Sequence, residues 1–419
     1  IEADVVEVGE AAKHQAHLRP REISTHFWAA LTASSTTKHI LSHAEIALKH
    51  LEHVWKSAQC ADASAILITP AHLDKNDLGL LLGICKKLNI TVLGIACNAV
   101  LSLQQRIENC TAVYLDLLQN KFVLSELNQN EVGVSLKKTS RVLDYGLKTF
   151  THNCAKSIAN QFVSETRFDP LHTATNEQQF YDKLPLWLEL LQQQEVIECE
   201  LSIDNKYYTI NLERRQLITA NQHLFNEIVN YLNVLFHDQP ALAIICSDSC
   251  KGVFGFFEFL ETLPGCATIN LNSNSLTKMA LRSANIITTG DEIHFTKNIS
   301  WQSQSKAKIK FNNGKLSNLA NQPTHLLVNG HAHSLHQALY LSVDEFHAEP
   351  IITLKRKSES VCGLSTSSTD TKVEIYIKEV IKINQVGIDH PSSVKINDIL
   401  EIKNCRLTCQ FIKVVQHET

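Results

Sequence analysis

The chain has 419 residues, of which 44% are hydrophobic and 20% charged, and its formal net charge is −4. This composition describes a globular protein and excludes a disordered or collagen-like chain, and the charge gives no reason to expect a nucleic acid or an anionic membrane as partner. At this length we expect two or three domains, and no apolar run reaches the roughly 18 residues that a membrane-spanning helix needs.

Glycine and proline are scarce: the chain has 14 glycines and 9 prolines, about 3% and 2% against averages of about 7% and 5%. Scarce glycine makes a large glycine-rich phosphate cradle hard to build, because such a cradle needs close approach of the backbone. The 12 cysteines form no CxxC pair, and most lie among apolar neighbours. We therefore expect reduced thiols in the cytoplasm and no zinc site built from cysteines. The acidic start does not resemble a signal peptide.

The first hundred residues predict a βαβ unit. An amphipathic helix is expected over 39–57, followed by buried strands at 65–69 and 91–95 and helices at 77–88 and 99–107. Asp74 or Asn76 could cap the helix that begins near residue 77. Alternation of strands and helices at this spacing indicates parallel strands.

The pattern changes after residue 110. Three strand-like runs at about ten-residue spacing predict an antiparallel meander; they are 111–117, 121–126 and 131–136. Long helices over 144–164, 175–194 and 214–236 follow, with a hairpin at Asp204-Asn205 between the last two. The next predicted elements are a buried parallel strand 241–246, a loop 247–251, a helix 252–261, a strand 267–271 and a helix 275–284.

Helical patterns almost disappear after residue 285. Short alternating runs predict strands at 291–295, 307–311, 326–328, 351–355, 373–380 and 401–415, and the stretch 358–371 is expected to be an exposed loop. The last runs resemble the closing strands of forkhead-associated-like β-sandwiches, with Asn397-Asp398 at the turn. We therefore predict an all-β C-terminal module over 291–419, suited to docking rather than to reading phosphopeptides.

The order of the elements before residue 290 is that of the actin-like ATPase domain. Several segments resemble the nucleotide-binding domain of the Hsp70 chaperones: GEAAKHQ at 9–15 resembles GxAAKxQ, and ITPAHLD at 68–74 resembles TVPAxFxD. Asp116 with 122–127 falls where the family has DLGGGTFDVSxL, and 243–252 falls where it has LVGGSSRIP. Because 167–187 resembles divergent bacterial Hsp70-like proteins, we identify the chain as similar to that group.

The resemblance implies an α/β actin-like fold with two lobes, about 1–140 and 141–290. It also implies ATP or ADP with Mg²⁺ held between the lobes by two glycine-rich hairpins. The first of these hairpins would precede Gly9. In the second, Asp116 is retained as a candidate Mg²⁺ organiser, but the glycines that follow it read Leu117-Leu118-Gln119. Asn120 could adopt a left-handed conformation, so an ordinary β-turn is the alternative to a phosphate-binding hairpin here.

The connecting segment and the adenosine loop are also altered. The family's EPTAA reads ACNAV at 96–100, which loses the acidic residue and the proline. The loop GGSSRIP reads CSDSCKG at 246–252, which loses the leading glycines and the arginine, and a solvated loop is the alternative to a ligand site here. The candidate nucleotide-binding residues are Asp116, Gln119, Asn120, Ser247, Asp248, Ser249, Lys251 and Gly252.

One further motif could carry chemistry. His331 and His333 would point to one face of a strand, with His336 close by, but a simple hairpin at Asn329-Gly330 explains the pattern equally well and we predict no metal site. The leading hypothesis is a degenerate Hsp70-like protein that binds a protein client or partner in the cytoplasm, with nucleotide binding weak or lost. A retained Mg²⁺-dependent ATPase and a scaffold acting through the β module remain the alternatives.

Overall fold

The computed structural model describes most of the chain up to residue 312 and separate strands beyond it. The described residues are 6–29, 31, 41–60, 63–236, 241–290, 292–301, 306–307, 309, 311–312, 325–328, 331–334, 339–341, 352–356, 373–377, 381–383, 386–388, 399–402 and 408–412. They form a mixed α/β protein with several sheets. The chain divides into two compact units, one of Ile1–Asn221 with Gln239–Asn313 and the other of Gln222–Asp238 with Gly314–Thr419.

The first stretch of the chain contains the predicted βαβ unit and the meander. Its elements are α1 (Glu10–Lys13), α2 (His43–Ser57), β1 (Ser64–Thr69), α3 (Lys75–Lys87), β2 (Thr91–Cys97), α4 (Asn98–Ser102), β3 (Arg106–Ile107), β4 (Thr111–Leu117), β5 (Phe122–Gln129) and β6 (Gly133–Leu143). Strands β1 and β2 are parallel, as predicted. Of the two cap residues predicted for α3, Asp74 is the one that caps, because its carboxylate accepts from the backbone N–H of Asn76 and of Asp77.

The second stretch contains the long helices. Its elements are α5 (Leu147–Thr166), α6 (Ala174–Gln193), β7 (Val196–Ile203), β8 (Lys206–Glu213), α7 (Arg214–Phe236), β9 (Leu242–Cys246), α8 (Phe256–Glu261), β10 (Cys266–Asn270), α9 (Ser275–Arg282) and α10 (Ala284–Ile287). The hairpin of β7 and β8 turns at Asp204 and Asn205, whose φ angles of 50° and 60° suit these residue types. The predicted helix 252–261 begins only at Phe256, after a 3-10 turn over Asp248–Gly252.

The third stretch is built from short strands. They are β11 (Phe295–Thr296), β12 (Asn298–Ser300), β13 (Lys306–Ala307), β14 (His325–Val328), β15 (His331–Ser334), β16 (Leu339–Leu341), β17 (Ile352–Arg356), β18 (Val373–Ile377), β19 (Ile381–Ile383), β20 (Val386–Ile388), β21 (Ile399–Ile402) and β22 (Thr408–Ile412). In the second unit they form antiparallel sheets of order β15-β14-β22-β21-β19-β20 and β16-β17-β18. The predicted loop 358–371 and the turn residues Asn397-Asp398 lie outside the described residues.

The largest sheet of the first unit joins the meander to two parallel strands. Its order is β10-β9-β4-β5-β6-β12. Strand β4 pairs antiparallel with β5 and parallel with β9, which pairs parallel with β10. The predicted meander and the predicted parallel strand are therefore confirmed. The carboxyl ends of β4, β9 and β10 meet at one edge of this sheet, and that edge carries the candidate site.

A shared hydrophobic core joins this sheet to the smaller sheet β1-β2-β11. Helix α4 lies in this core and is buried along its whole length. The predicted helix 99–107 is wrong beyond Ser102, because Leu103 has extended backbone angles and Arg106–Ile107 form the short strand β3. The backbone N–H of Ile107 instead donates to Gln129 Oε1 at 2.8 Å, which fixes this segment as extended chain.

A second core of the first unit lies under the hairpin of β7 and β8. Residues of β7 alternate between exposed and buried, and the buried ones pack on α5 and α6. Phe180 and Trp187 of α6 make an edge-on ring contact inside this core, with ring centroids 5.7 Å apart. The packing gives α6 a fixed position relative to α5 and to the large sheet.

The turn between β4 and β5 packs directly on the beginning of α5. Gly146 precedes this helix, and a β carbon placed there would lie 2.3 Å from the carbonyl oxygen of Leu118 and 2.7 Å from the backbone nitrogen of Asn120. No side chain fits at these distances. Glycine is therefore required at position 146 by the close approach of two backbone segments.

We expect Gly146→Ala to destabilise the first unit by about 1 to 3 kcal/mol, the usual cost of overpacking. Gly79→Ala is the matched control, because nothing lies within 4 Å of a β carbon there and alanine favours a helix over glycine by about 1 kcal/mol. Urea unfolding followed by tryptophan fluorescence measures both variants, since the 4 tryptophans lie in the first unit. Equal stability of the two variants would contradict the close approach at Gly146.

Candidate functional site

The carboxyl edge of the parallel strands collects most of the candidate residues. Asp116 stands near the end of β4, Ser247 follows β9, and Asn272 follows β10. This edge is where ligands bind in open α/β sheets, because the loops that leave parallel strands converge there. The large sheet therefore brings together residues that are far apart in the chain.

Asp116 is the most buried candidate, with 5% of its surface exposed. Asn98, the first residue of α4, donates from Nδ2 to Asp116 Oδ2 at 2.5 Å. Burial raises the pKa of Asp116 to about 6, although the hydrogen bonds from Asn98 and Ser247 oppose this rise. Sequence reasoning did not single out Asn98 as a site residue, although it lies in the altered connecting segment 96–100.

Two buried polar atoms beside this carboxylate have no hydrogen-bond partner among the described residues. They are Asn98 Oδ1 and the hydroxyl of Tyr114, which lies two residues before Asp116 on the same strand face. Burial raises the pKa of Tyr114, and the charge of Asp116 raises it further. A buried acid with unpaired neighbours is the arrangement expected of a functional or strained site.

The serines of the adenosine-loop segment bind the end of β4. Ser247 Oγ accepts from the backbone N–H of Leu117 at 3.1 Å, and Ser249 Oγ donates to the carbonyl of Leu117 at 2.5 Å. The two hydroxyl oxygens lie 3.0 Å apart. Both candidate serines therefore hold the loop against β4, and their hydroxyl groups are already engaged.

The other candidates in this loop are also engaged within the protein. Lys251 Nζ donates to Asp248 Oδ1 at 2.6 Å and to Asn272 Oδ1 at 3.3 Å, and both Asp248 and Lys251 are exposed. Gly252 packs on α5, since a β carbon there would lie 2.9 Å from Leu147 Cδ1. Asp248 and Lys251 could bind a polar ligand only if their ion pair with each other were broken.

The β4–β5 turn carries Gln119 and Asn120. The backbone N–H of Leu118 donates to the carbonyl of Lys121 at 2.8 Å, which closes a two-residue turn. Asn120 is not among the residues with positive φ, so it does not adopt the left-handed conformation that its residue type allows. Leu117, which precedes this turn, is 2% exposed and packs in the core.

The backbone of this turn faces the first N–H groups of α5. The carbonyl of Leu118 accepts from Leu147 N at 2.9 Å, and the carbonyl of Gln119 accepts from Lys148 N at 3.0 Å. A free helix N-terminus is a common anion site, because its N–H groups have no partner within the helix. Here two of those groups already bind the turn.

The structure thus places the candidates in two clusters. Asp116, Ser247 and Ser249 are joined by hydrogen bonds at the carboxyl edge, with Asp248 and Lys251 on its surface. Gln119 and Asn120 lie at the turn, where they contact other segments of the chain. Two surface cavities of about 440 and 330 Å³ lie elsewhere, and no candidate residue lines either of them.

The histidine motif does not form a metal site among the described residues. Within the part of the chain that the structure describes, no three His, Cys, Asp or Glu side chains are arranged to hold a metal ion. His331 and His333 lie on β15, which pairs antiparallel with β14, whereas Asn329-Gly330 and His336 lie outside the described residues. No described helix combines the length and apolar character that crossing a bilayer requires.

Comparison of the sequence with protein-family models and with curated proteins gives no match. The resemblance drawn from the motifs therefore depends on the sequence segments alone.

The stability of the first unit should depend on pH through Asp116. Its pKa is raised from 3.8 to about 6, so the folded protein binds this proton more tightly than the unfolded chain does. The stability that the bound proton contributes is fully present below pH 3.8 and is lost as the pH rises through 6. This difference in pKa corresponds to roughly 3 kcal/mol. Asp116→Asn is uncharged at every pH, so we expect it to be more stable than the natural protein at pH 8 and to lose less stability between pH 4 and pH 8.

Urea unfolding at several pH values measures this difference. Asp248→Asn is the control, because Asp248 is an exposed carboxylate in a surface ion pair and its removal should change stability by less than about 1 kcal/mol. If Asp116→Asn is less stable than the natural protein at pH 8, the buried carboxylate is not a destabilising charge.

Proposed function

We propose that the chain is a degenerate Hsp70-like protein of the actin-like ATPase superfamily, in which nucleotide binding is weak or lost and the function is to bind a protein client or partner. The order of elements supports this relationship. A βαβ unit precedes an antiparallel meander, and the meander is continued by parallel strands β9 and β10 after three long helices and a hairpin. A lobe of an actin-like protein is expected to combine a meander and parallel strands in one sheet in this way.

The observation that carries the proposal is the environment of Asp116. In the resemblance, this carboxylate would organise Mg²⁺ through water between two lobes, which requires a solvated and negatively charged group. Here it is 5% exposed and accepts a hydrogen bond from Asn98 at 2.5 Å. Its raised pKa means that the charged form is disfavoured at this position. A carboxylate in this state is poorly suited to hold hydrated Mg²⁺.

The groups that would contact a phosphate are either replaced by bulkier residues or already bound within the protein. Leu118 and Gln119 stand where glycine would let the backbone approach a phosphate, and Leu117 beside them is packed in the core. The serine hydroxyls and two N–H groups of α5 are already bound within the protein. As arranged, the candidate residues do not fit ATP with Mg²⁺, and we assign no reaction to them.

We expect no detectable binding of Mg²⁺-ATP by titration calorimetry at concentrations up to the millimolar range. The titration should use a polypeptide that includes any residues its gene encodes before Ile1, since the first hairpin of the family would precede Gly9. A hydrolysis assay with the same preparation provides the negative control for turnover. A micromolar dissociation constant would exclude a degenerate nucleotide site.

A retained ATPase is the second candidate, and one observation favours it. Asp116 and the unpaired polar atoms of Asn98 and Tyr114 form a buried, destabilising cluster, and such clusters are concentrated at functional sites. If this candidate is correct, Asp116→Ala and Asp116→Asn both abolish Mg²⁺-dependent hydrolysis, whereas Glu189→Gln, which changes an exposed carboxylate of α6 outside the candidate residues, retains it. Hydrolysis that survives both Asp116 variants would end this candidate.

A further inference from the structure

Strand β7 forms one edge of the two-stranded hairpin β7–β8. The two-residue turn of this hairpin makes Ile203 and Lys206 the first hydrogen-bonded pair of the ladder. Hydrogen-bonded pairs then alternate along the strands with pairs whose backbone groups point outward, away from the partner strand. On β7 the residues with outward N–H and C=O groups are therefore Val196, Glu198, Glu200 and Ser202.

The outward backbone groups differ between the two strands of the hairpin. On β8, the outward carbonyl of Asn211 accepts from Gln161 Nε2 of α5 at 2.8 Å, so α5 covers part of that edge. On β7, no residue that the structure describes forms a hydrogen bond with the outward backbone groups of Glu198, Glu200 or Ser202. An unpaired row of this kind is a template on which a further strand can pair.

The two faces of the hairpin differ in chemistry. Residues of β7 alternate between exposed and buried, and the buried ones belong to the core that α5 and α6 complete. Over 196–202 and 207–213, the exposed face carries three carboxylates and no basic side chain; the acidic residues are Glu198, Glu200 and Glu213. A strand added to β7 would place every second side chain opposite an outward residue of this face and the others beside the core.

The acidic face selects the kind of strand that fits this edge. If β7 of a second copy paired here in antiparallel register, the carboxylates of Glu198 and Glu200 in the two copies would lie opposite or diagonal to one another. Like charges in these positions destabilise a strand pair, whereas opposite charges stabilise it. The edge therefore disfavours a second copy of the chain and favours a segment whose side chains alternate between basic and apolar.

We propose that β7 binds an extended segment of a protein partner by strand addition, and that this segment carries alternating basic and apolar side chains. Its backbone pairs with the outward N–H and C=O groups of Glu198, Glu200 and Ser202. Its basic side chains lie opposite the two glutamates, and its apolar side chains extend the core beside α6. The proposal rests on the binding role proposed above, for which it names a surface and the chemistry of the partner, and it does not depend on whether a nucleotide binds.

A synthetic peptide of alternating lysine and valine, with the same 8 residues in length as β7, is the probe. Fluorescence anisotropy of the labelled peptide, titrated with the full chain, should show saturable binding in the micromolar to millimolar range. The matching peptide of alternating glutamate and valine should bind about tenfold more weakly, because its carboxylates meet those of β7. In hydrogen–deuterium exchange, residues 196–203 should gain protection when the lysine peptide is bound, since their outward N–H groups become paired.

A charge variant tests the acidic face. Glu198→Gln with Glu200→Gln should weaken binding of the lysine peptide about 2- to 30-fold, the effect of two cross-strand charge pairs. The control is Glu131→Gln with Glu261→Gln, which makes the same change in net charge at two exposed carboxylates outside the hairpin. This control should leave the affinity unchanged.

A backbone variant tests the edge without changing any charge. Ser202→Pro removes one outward N–H group of β7, and proline is tolerated at edge positions whose N–H faces solvent. The loss of one hydrogen bond should weaken the lysine peptide about 2- to 10-fold. Thr209→Pro removes an outward N–H group from β8 instead and should leave the affinity unchanged. Exchange protection of the α5 amides in both variants shows that the unit remains folded.

The proposal is overturned if the lysine peptide does not bind in the millimolar range, or if the glutamate peptide binds equally well. It is also overturned if neither the double glutamine variant nor Ser202→Pro weakens binding. Each of these results removes this surface and leaves the binding role to other surfaces. Micromolar binding of Mg²⁺-ATP, in contrast, would overturn the degenerate nucleotide site without changing peptide binding.

Discussion

The hydrogen bond between Asn98 and Asp116 connects two sheets at their carboxyl ends. Asn98 begins α4 directly after β2 of the small sheet, and Asp116 lies near the end of β4 in the large sheet. Because the contact lies inside a shared hydrophobic core, neither partner can exchange it for water without opening that core. The remaining contacts of the site are arranged around this fixed point, including the two serines that bind the end of β4.

The same donors and acceptors cannot serve the protein and a nucleotide at once. A phosphate group is bound by backbone N–H groups that are otherwise unpaired, at helix N-termini or in glycine-rich turns. In this chain, the N–H groups of Leu147 and Lys148 bind the carbonyls of Leu118 and Gln119. A phosphate would have to displace the turn from α5, and the buried side chain of Leu117 opposes that movement. This competition is the physical basis for proposing that nucleotide binding is weak or lost and that the chain binds a protein client or partner instead.

Local patterns predicted most of the elements but little of the site. The meander, the long helices and the Asp204-Asn205 hairpin followed from short-range periodicity and turn chemistry, which act within one segment of chain. Strand β4 of the meander, in contrast, pairs with β9 about 130 residues later in the chain. Such a pairing carries no local signal. Asn98 was missed for a similar reason, because only the packing of α4 brings it to Asp116.

Two of the few glycines lie where a β carbon would collide with the backbone of another segment. At Gly146, a β carbon would lie 2.3 Å from the carbonyl oxygen of Leu118, and at Gly94 it would lie 2.5 Å from that of Ile287. Both glycines therefore serve contacts between backbone segments of the protein itself, at the start of α5 and between β2 and α10. The turn of β4 and β5 contains none and is closed by leucine, glutamine and asparagine. These glycines therefore serve internal packing, and the turn lacks the residues that let a backbone approach a phosphate closely.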